Sequence, residues 1–299
     1  MVYTQDLKKV RKAVIPVAGR GTRFLPATKA LPKEMLPIID RPLVQYAVEE
    51  AQAAGITDFI FVTGRGKLPI ENHFDKAYEL AAELERSGKA EFLDVISKTV
   101  MQPGRVAYIR QQEALGLGHA IWCARNLVGD EPFAVLLPDV LVDGAKPCLA
   151  QLMDVYSQHG GHVLAVEEVA NEKVSAYGVI DPVGEGAVRE VCGLVEKPLP
   201  ETAPSNLVIT GRYILSPSVF TALEAQTPGA SGEIQLTEAI AKGLGQMAMH
   251  AVIFEGRSFD CGSKSGFVEA TLYHALKRDD IHFPYKKEIA AIFEQQHSS

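Results

Sequence analysis

The chain has 299 residues, 47% of them hydrophobic, enough to bury a large core in one big α/β domain or two ordinary ones. A formal net charge of −7 with 22% charged residues argues against nucleic acid as the main partner, so an anionic ligand would need a local basic pocket. The four cysteines are scattered without CxxC spacing, which leaves a zinc site unsupported and suits reduced thiols.

The opening residues MVYTQDLKKVRK hold no apolar stretch of signal-peptide length. No run of about 18 apolar residues occurs anywhere, so no membrane span is expected and the cytoplasm is the expected location. Residues 12–18 (KAVIPVA) read as a strand buried on both faces. Residues 42–54 place Leu43, Val44, Ala47, Val48 and Ala51 at helical spacing, with Pro42 at the entry and Gly55 at the exit. The pattern then predicts a strand at 58–64, a helical stretch at 68–86, a strand at 106–110, a helix at 117–128 and a strand at 133–139. Such alternation means βαβ units and a mainly parallel sheet.

After residue 140 the texture changes. A helix is expected at 146–159, a strand at 162–169, and strand-rich sequence at 178–183, 188–196 and 207–215. Helices follow at 216–226, 234–244 and 264–277, with a short strand at 249–254 and a polar, partly helical tail over the last twenty residues. There is no internal repeat and no linker rich enough in Pro, Gly or Ser to split the chain.

The loop after the first strand, GRGTRFLPATKALPKEMLP (19–37), is where an open parallel sheet binds ligands. Gly19 and Gly21 permit close backbone approach and turn N–H groups toward an anion. Arg23 adds a planar fork for phosphate oxygens and Lys33 a point charge, while Pro26, Pro32 and Pro37 stiffen the loop. A triphosphate fits this device; a solvated basic connecting loop is the plainer alternative. The glycines depart from the dinucleotide pattern GxGxxG, because Phe24 stands at the third position. TGRGKL (63–68) fails as a Walker A loop, since Leu68 stands where a hydroxyl should be.

These residues closely resemble the signature of the sugar-1-phosphate nucleotidylyltransferases, G-x-G-T-R followed by P-K-x-[LM]-x-P. Further matches follow in order: RQQEALGLGHA (110–120), LLPDVL (136–141), YGVI (177–180), VEKP (195–198), NLVITGRYIL (206–215), GEIQLTEAI (232–240) and FDCGSK (259–264). TGRGKLPIENHFD (63–75), followed by a helical insertion, resembles the bacterial uridylyltransferase branch; the similar thymidylyltransferase branch typically lacks that insertion.

The resemblance implies Mg²⁺-dependent uridylyl transfer from UTP to glucose 1-phosphate, giving UDP-glucose and pyrophosphate, with a thymidylyltransferase or an idle nucleotide-sugar-binding relative as the alternatives. It implies a Rossmann-like, mainly parallel but mixed central sheet flanked by helices, of the nucleotide-diphospho-sugar transferase type. One domain over 1–280 would hold a nucleotide-binding core at roughly 10–145 and a sugar-binding part at roughly 146–262. The helical segment 263–299 would be available for a homodimer or homotetramer.

By the same matching, Arg23 and Lys33 would meet the triphosphate, and Lys197 the sugar phosphate. Gln111 and Gly116 would read the uracil, with Ala18 and Gly19 beneath it and Gly21 in the same loop. Glu196 and Gly178 would hold the sugar, with Asn206 nearby, and Asp139 and Asp260 the metal. The chemistry agrees with this set. A phosphate nucleophile is already ionised at neutral pH, so transfer needs cations and alignment more than a base. Accordingly, His119 is read as structural. Asp139 is expected to end the strand FAVLLPD, and Lys197, preceding Pro198, to be extended. On spacing alone, Glu196-Lys197 would suit a surface ion pair, Asp260 a helix cap and Gln111 a polar strand end.

Overall fold

A computed structural model describes residues 7–229 and 232–281. Among these, thirteen strands occur in chain order: β1 (Lys12–Pro16), β2 (Pro37–Ile38), β3 (Arg41–Pro42), β4 (Asp58–Thr63), β5 (Val106–Arg110), β6 (Phe133–Leu136), β7 (Val140–Asp143), β8 (His162–Glu168), β9 (Gly178–Val183), β10 (Val188–Glu196), β11 (Leu207–Leu215), β12 (Met249–Ile253) and β13 (Arg257–Asp260). Nine of them form one sheet in the order β5-β4-β1-β6-β11-β8-β12-β10-β9.

The sheet is mixed. β5, β4, β1 and β6 run parallel, as the βαβ alternation predicts. β11 then enters antiparallel between β6 and β8, and only the β8–β12 pair is parallel in the second half. The nine residues of β11 are all buried, which explains the density of Val, Ile and Leu in LVITGRYIL.

Alternation along each strand divides the core into two layers. Val14, Ile60, Val135 and Leu164 face one side and meet helices Gly116–Cys123, Val219–Glu224 and Leu236–Ala241. Ala13, Ile15, Phe61 and Leu136 face the other and meet helices Leu43–Ala53 and Cys148–His159. The predicted stretch 68–86 is two helices, Leu68–Phe74 and Tyr78–Arg86, because the chain breaks at Asp75 in extended geometry. A third helix, Ala90–Ser97, completes the insertion before β5. Helix Lys264–Lys277 matches its expected span, and the polar tail read as partly helical lies, from residue 282 on, outside the described residues. Among the described residues no helix is long and apolar enough to cross a membrane.

Candidate active site

The loop after β1 does not wander. It folds into three short 3₁₀ turns, Thr22–Phe24, Ala27–Lys29 and Lys33–Met35, spaced by the prolines that the sequence supplies. Gly21 opens the first turn at φ 64, a left-handed setting that glycine adopts without a Cβ penalty. Beneath the loop lies a buried ion pair: Lys67 Nζ donates to Glu34 Oε2 at 2.7 Å and to the carbonyl of Gly19 at 2.7 Å. Burial pushes the Glu34 carboxyl up and the Lys67 ammonium down, despite their mutual attraction. Glu34 is fully buried, and its second oxygen, Oε1, has no partner among the described residues.

A cleft of about 550 Å³ opens over this loop, lined by Ala18, Gly19, Gly21, Lys33, Gln111, Gly116, Asp139 and Glu233 among others. Gly116 stands at φ 91, and a Cβ there would lie 2.8 Å from Glu233 Cβ, so glycine is required on both counts. Segment Glu233–Ile234 clamps the glycine loop through Ile234 N–H to Leu115 O and Gly118 N–H to Ile234 O.

Asp139 does not end a strand. β6 stops at Leu136, and Asp139 sits in the turn before β7, still at the carboxyl edge of the sheet. Its Oδ2 accepts from Lys33 Nζ at 2.5 Å. Burial works against ionisation of Asp139, yet the charge and hydrogen bond of Lys33 hold its carboxyl below the usual range. The same partnership raises Lys33 against its own desolvation.

An ideal Cβ on Gly262 would stand 3.0 Å from Asp260 Oδ1, 3.1 Å from Asp139 Oδ2 and 3.6 Å from Arg23 Nη1. Two carboxylates and one guanidinium therefore converge on the space over Gly262. Oxygen donors of this kind suit a hard divalent cation. Among the described residues no group of three His, Cys, Asp or Glu could hold a metal, so a cation here would complete its shell from phosphate and water. The residues present fit such an ion.

The sugar-side candidates form an adjoining group. A Cβ on Gly178 would lie 2.9 Å from Thr237 Oγ1 and 3.3 Å from Glu196 Oε2. Lys197 Nζ lies 3.2 Å from Glu196 Oε1, and Lys197 N–H donates to Tyr177 O. Lys197 is not extended: its φ is 48, which turns consecutive side chains toward one site where a regular strand would part them. Tyr177 ties this group to the first, since burial and then the charges of Asp260 and Glu167 raise its hydroxyl pKa. Thr237 lies three residues beyond the Glu233–Ile234 clamp, so one short segment touches both groups. Asn206 stands exposed at the start of β11, with its backbone carbonyl accepting from Val169 N–H.

The residues missed by sequence reasoning are the braces. Arg212, 1% exposed on β11, donates to both oxygens of Glu50 at 2.8–3.1 Å. It also donates to the carbonyls of Leu137 and Val140, on either side of Asp139. A lone charged residue within the nine-residue stretch LVITGRYIL was the available signal.

Residues 12–275 match the Nucleotidyl transferase family. The chain belongs to that family. It is 52% identical over 276 residues to the UTP–glucose-1-phosphate uridylyltransferase of Bacillus subtilis, covering 92% of this chain and 94% of the relative. The Staphylococcus epidermidis enzyme of the same name is 52% identical over 272 residues, 91% of this chain and 94% of its own. Among solved nucleotidyl transferases, a UTP-bound UGPase from Acinetobacter baumannii superposes with a TM-score of 0.87 at 42% identity, covering 94% of this chain and 99% of the other. A UDP-glucose pyrophosphorylase complexed with UDP-glucose gives 0.81 at 42% identity, with 90% and 100% covered.

Proposed function

We propose that the chain transfers the uridylyl group of UTP to glucose 1-phosphate, forming UDP-glucose and pyrophosphate. The observation that carries this reading is the convergence of Arg23, Lys33, Asp139 and Asp260 beside a glycine-lined cleft. Relatives named for this activity at 52% identity support the substrate pair.

An oxygen of the ionised sugar phosphate attacks the α-phosphorus of UTP. A P–O bond forms there as the bond to the bridging oxygen breaks, and pyrophosphate leaves with that electron pair. The nucleophile needs no base, so the protein's task is to hold two anions in line. We assign Arg23 and Lys33 to the triphosphate and Lys197 to the sugar phosphate. Gln111, Gly116 and the Ala18–Gly19 backbone take the base, with Gly21 shaping the loop. Glu196, Gly178 and Asn206 take the sugar.

Asp139 and Asp260 would hold the divalent cation, proposed to be Mg²⁺, which when bound neutralises phosphate oxygens. Within the single domain, we place nucleotide binding in residues 10–145 and sugar binding in 146–262. A homodimer or homotetramer is proposed with it, and sedimentation equilibrium decides between the two.

Pyrophosphate release from each nucleoside triphosphate, crossed with a panel of sugar 1-phosphates, tests the reading. UTP with glucose 1-phosphate should lead, and a chelator should silence it. No release with any pair, or a preference for dTTP, overturns it.

A further inference from the structure

The amide of Gln111 is spent on one side. Its Nε2 donates to the carbonyl of Gly116 at 3.1 Å, and a carbonyl can only accept, so the NH₂ group, not the oxygen, faces that way. The second hydrogen of Nε2 faces His119 Nδ1, also at 3.1 Å. His119 Nδ1 must then be unprotonated, which puts the imidazole proton on Nε2, toward Cys123 Sγ at 3.8 Å. The ring is held in place by stacking on Trp122, at 6.0 Å between centroids and 20° between planes. Arg125 lies over the other ring of that stack, 3.5 Å from the Trp122 centroid. Gln111 Oε1 remains the amide atom without a partner among the described residues, on a side chain that lines the cleft.

We propose that His119 is a positioning residue that sets base selectivity by locking the Gln111 amide with its carbonyl oxygen toward the nucleotide. This rests on the uridylyl reading above. An amide locked in this way offers an acceptor alone. Uracil presents N3–H, a donor, at its pairing edge, whereas cytosine presents a bare N3 lone pair, which an acceptor repels. With the acceptor at residue 119 removed, the Gly116 carbonyl alone holds the NH₂ group, so the amide turns Nε2 outward more readily and accommodates cytosine as well. His119 thus discriminates without touching the base. Discrimination that leaves a buried polar group mismatched exceeds what pocket shape alone gives.

The test compares UTP with CTP in pyrophosphate release. His119→Phe keeps a ring on Trp122 but removes the acceptor. Its kcat/KM ratio for UTP over CTP should fall about tenfold, the worth of one oriented hydrogen bond, through a rise in KM for UTP with kcat held. His119→Asn, whose Oδ1 can stand where Nδ1 stood, should restore most of the ratio. A lower kcat with the ratio unchanged overturns the proposal, as does an equal loss of ratio in both variants.

The wild-type enzyme supplies an arm that needs no variant. Nitrogen-15 NMR of the imidazole should find Nε2 protonated and Nδ1 bare, and the opposite tautomer overturns the lock. A wild-type enzyme that uses no UTP at all defeats the uridylyl reading instead.

Discussion

Lys197 sits on a backbone that lysine seldom adopts, at φ 48 and immediately before Pro198. A left-handed setting costs a residue with a Cβ about 1–2 kcal/mol, and such strain collects where geometry serves chemistry. On the proposed assignment of Lys197 to the sugar phosphate, Lys197→Ala should cut turnover severely while UTP binding persists. Lys197→Gly should be as inactive yet about 1 kcal/mol more stable than the alanine variant, since glycine accepts this φ. Equal urea midpoints for the two would show that the backbone carries no strain. Loss of UTP affinity on a par with turnover would move Lys197 to the triphosphate side.

His162 gives the fold a dependence on pH. Its ring is buried on β8, Nδ1 accepts from Ser216 N–H, and burial pushes its pKa down to about 4. The unfolded chain takes up a proton near pH 6.5 and the folded chain does not. The contribution is therefore complete above about pH 6.5 and is lost as pH falls toward 4. Between pH 7 and pH 5 the wild type should lose about 2 kcal/mol more than His162→Asn, which keeps an acceptor but cannot titrate. Parallel pH profiles in urea unfolding would contradict this.

At the scale of elements, β11 does more than fill the sheet. It carries Arg212 from the centre of the strand to Glu50 and to the carbonyls around Asp139, so a strand, a helix and the Asp139 turn share one cation. Removing one partner of such a pair strands the other's charge. Arg212→Met should cost about 3–5 kcal/mol in chemical denaturation, and a paired Glu50→Leu should return most of it. A loss below about 1 kcal/mol would mean that Glu50 finds water instead.

The elements themselves were largely readable. Val, Ile and Leu density located β8 through β12, and helical spacing located Leu43–Ala53 to within a residue at each end. Local pattern failed where distant contacts decide. Nothing near Arg212 announces Glu50, which is 162 residues away. Nor does TGRGKL reveal that Lys67 props up the Gly19 carbonyl from below. Asp139 was placed at the right edge of the sheet but on the wrong element, because Leu137 and Pro138 prolong an apolar run that the backbone has already left. The rule that the residue before proline is extended misplaced Lys197, whose setting is fixed by tertiary contacts such as Lys197 N–H to Tyr177 O.

At the scale of the molecule, the two parts proposed for nucleotide and sugar share more than a boundary. One hydrophobic layer joins Val14, Ile60 and Val135 to Leu164, Ile180 and Leu207 without interruption. Urea unfolding should accordingly be a single transition. Trp122, the only tryptophan, reports on the first half, and far-ultraviolet circular dichroism on the whole chain. Coincident curves are expected, and fluorescence leading or trailing would reveal two units.

The antiparallel insertion of β11 between β6 and β8 also bears on how the chain can be cut. A fragment ending near residue 145 would contain the glycine loop, Lys33, Gln111 and Asp139, yet β6 would lose its outer neighbour. Phe133, Ala134, Val135 and Leu136 would then line an open border with unpaired backbone groups, an invitation to intermolecular strand pairing. A fragment ending there should therefore aggregate rather than stay in solution; the return strand that closes its edge is written more than sixty residues later.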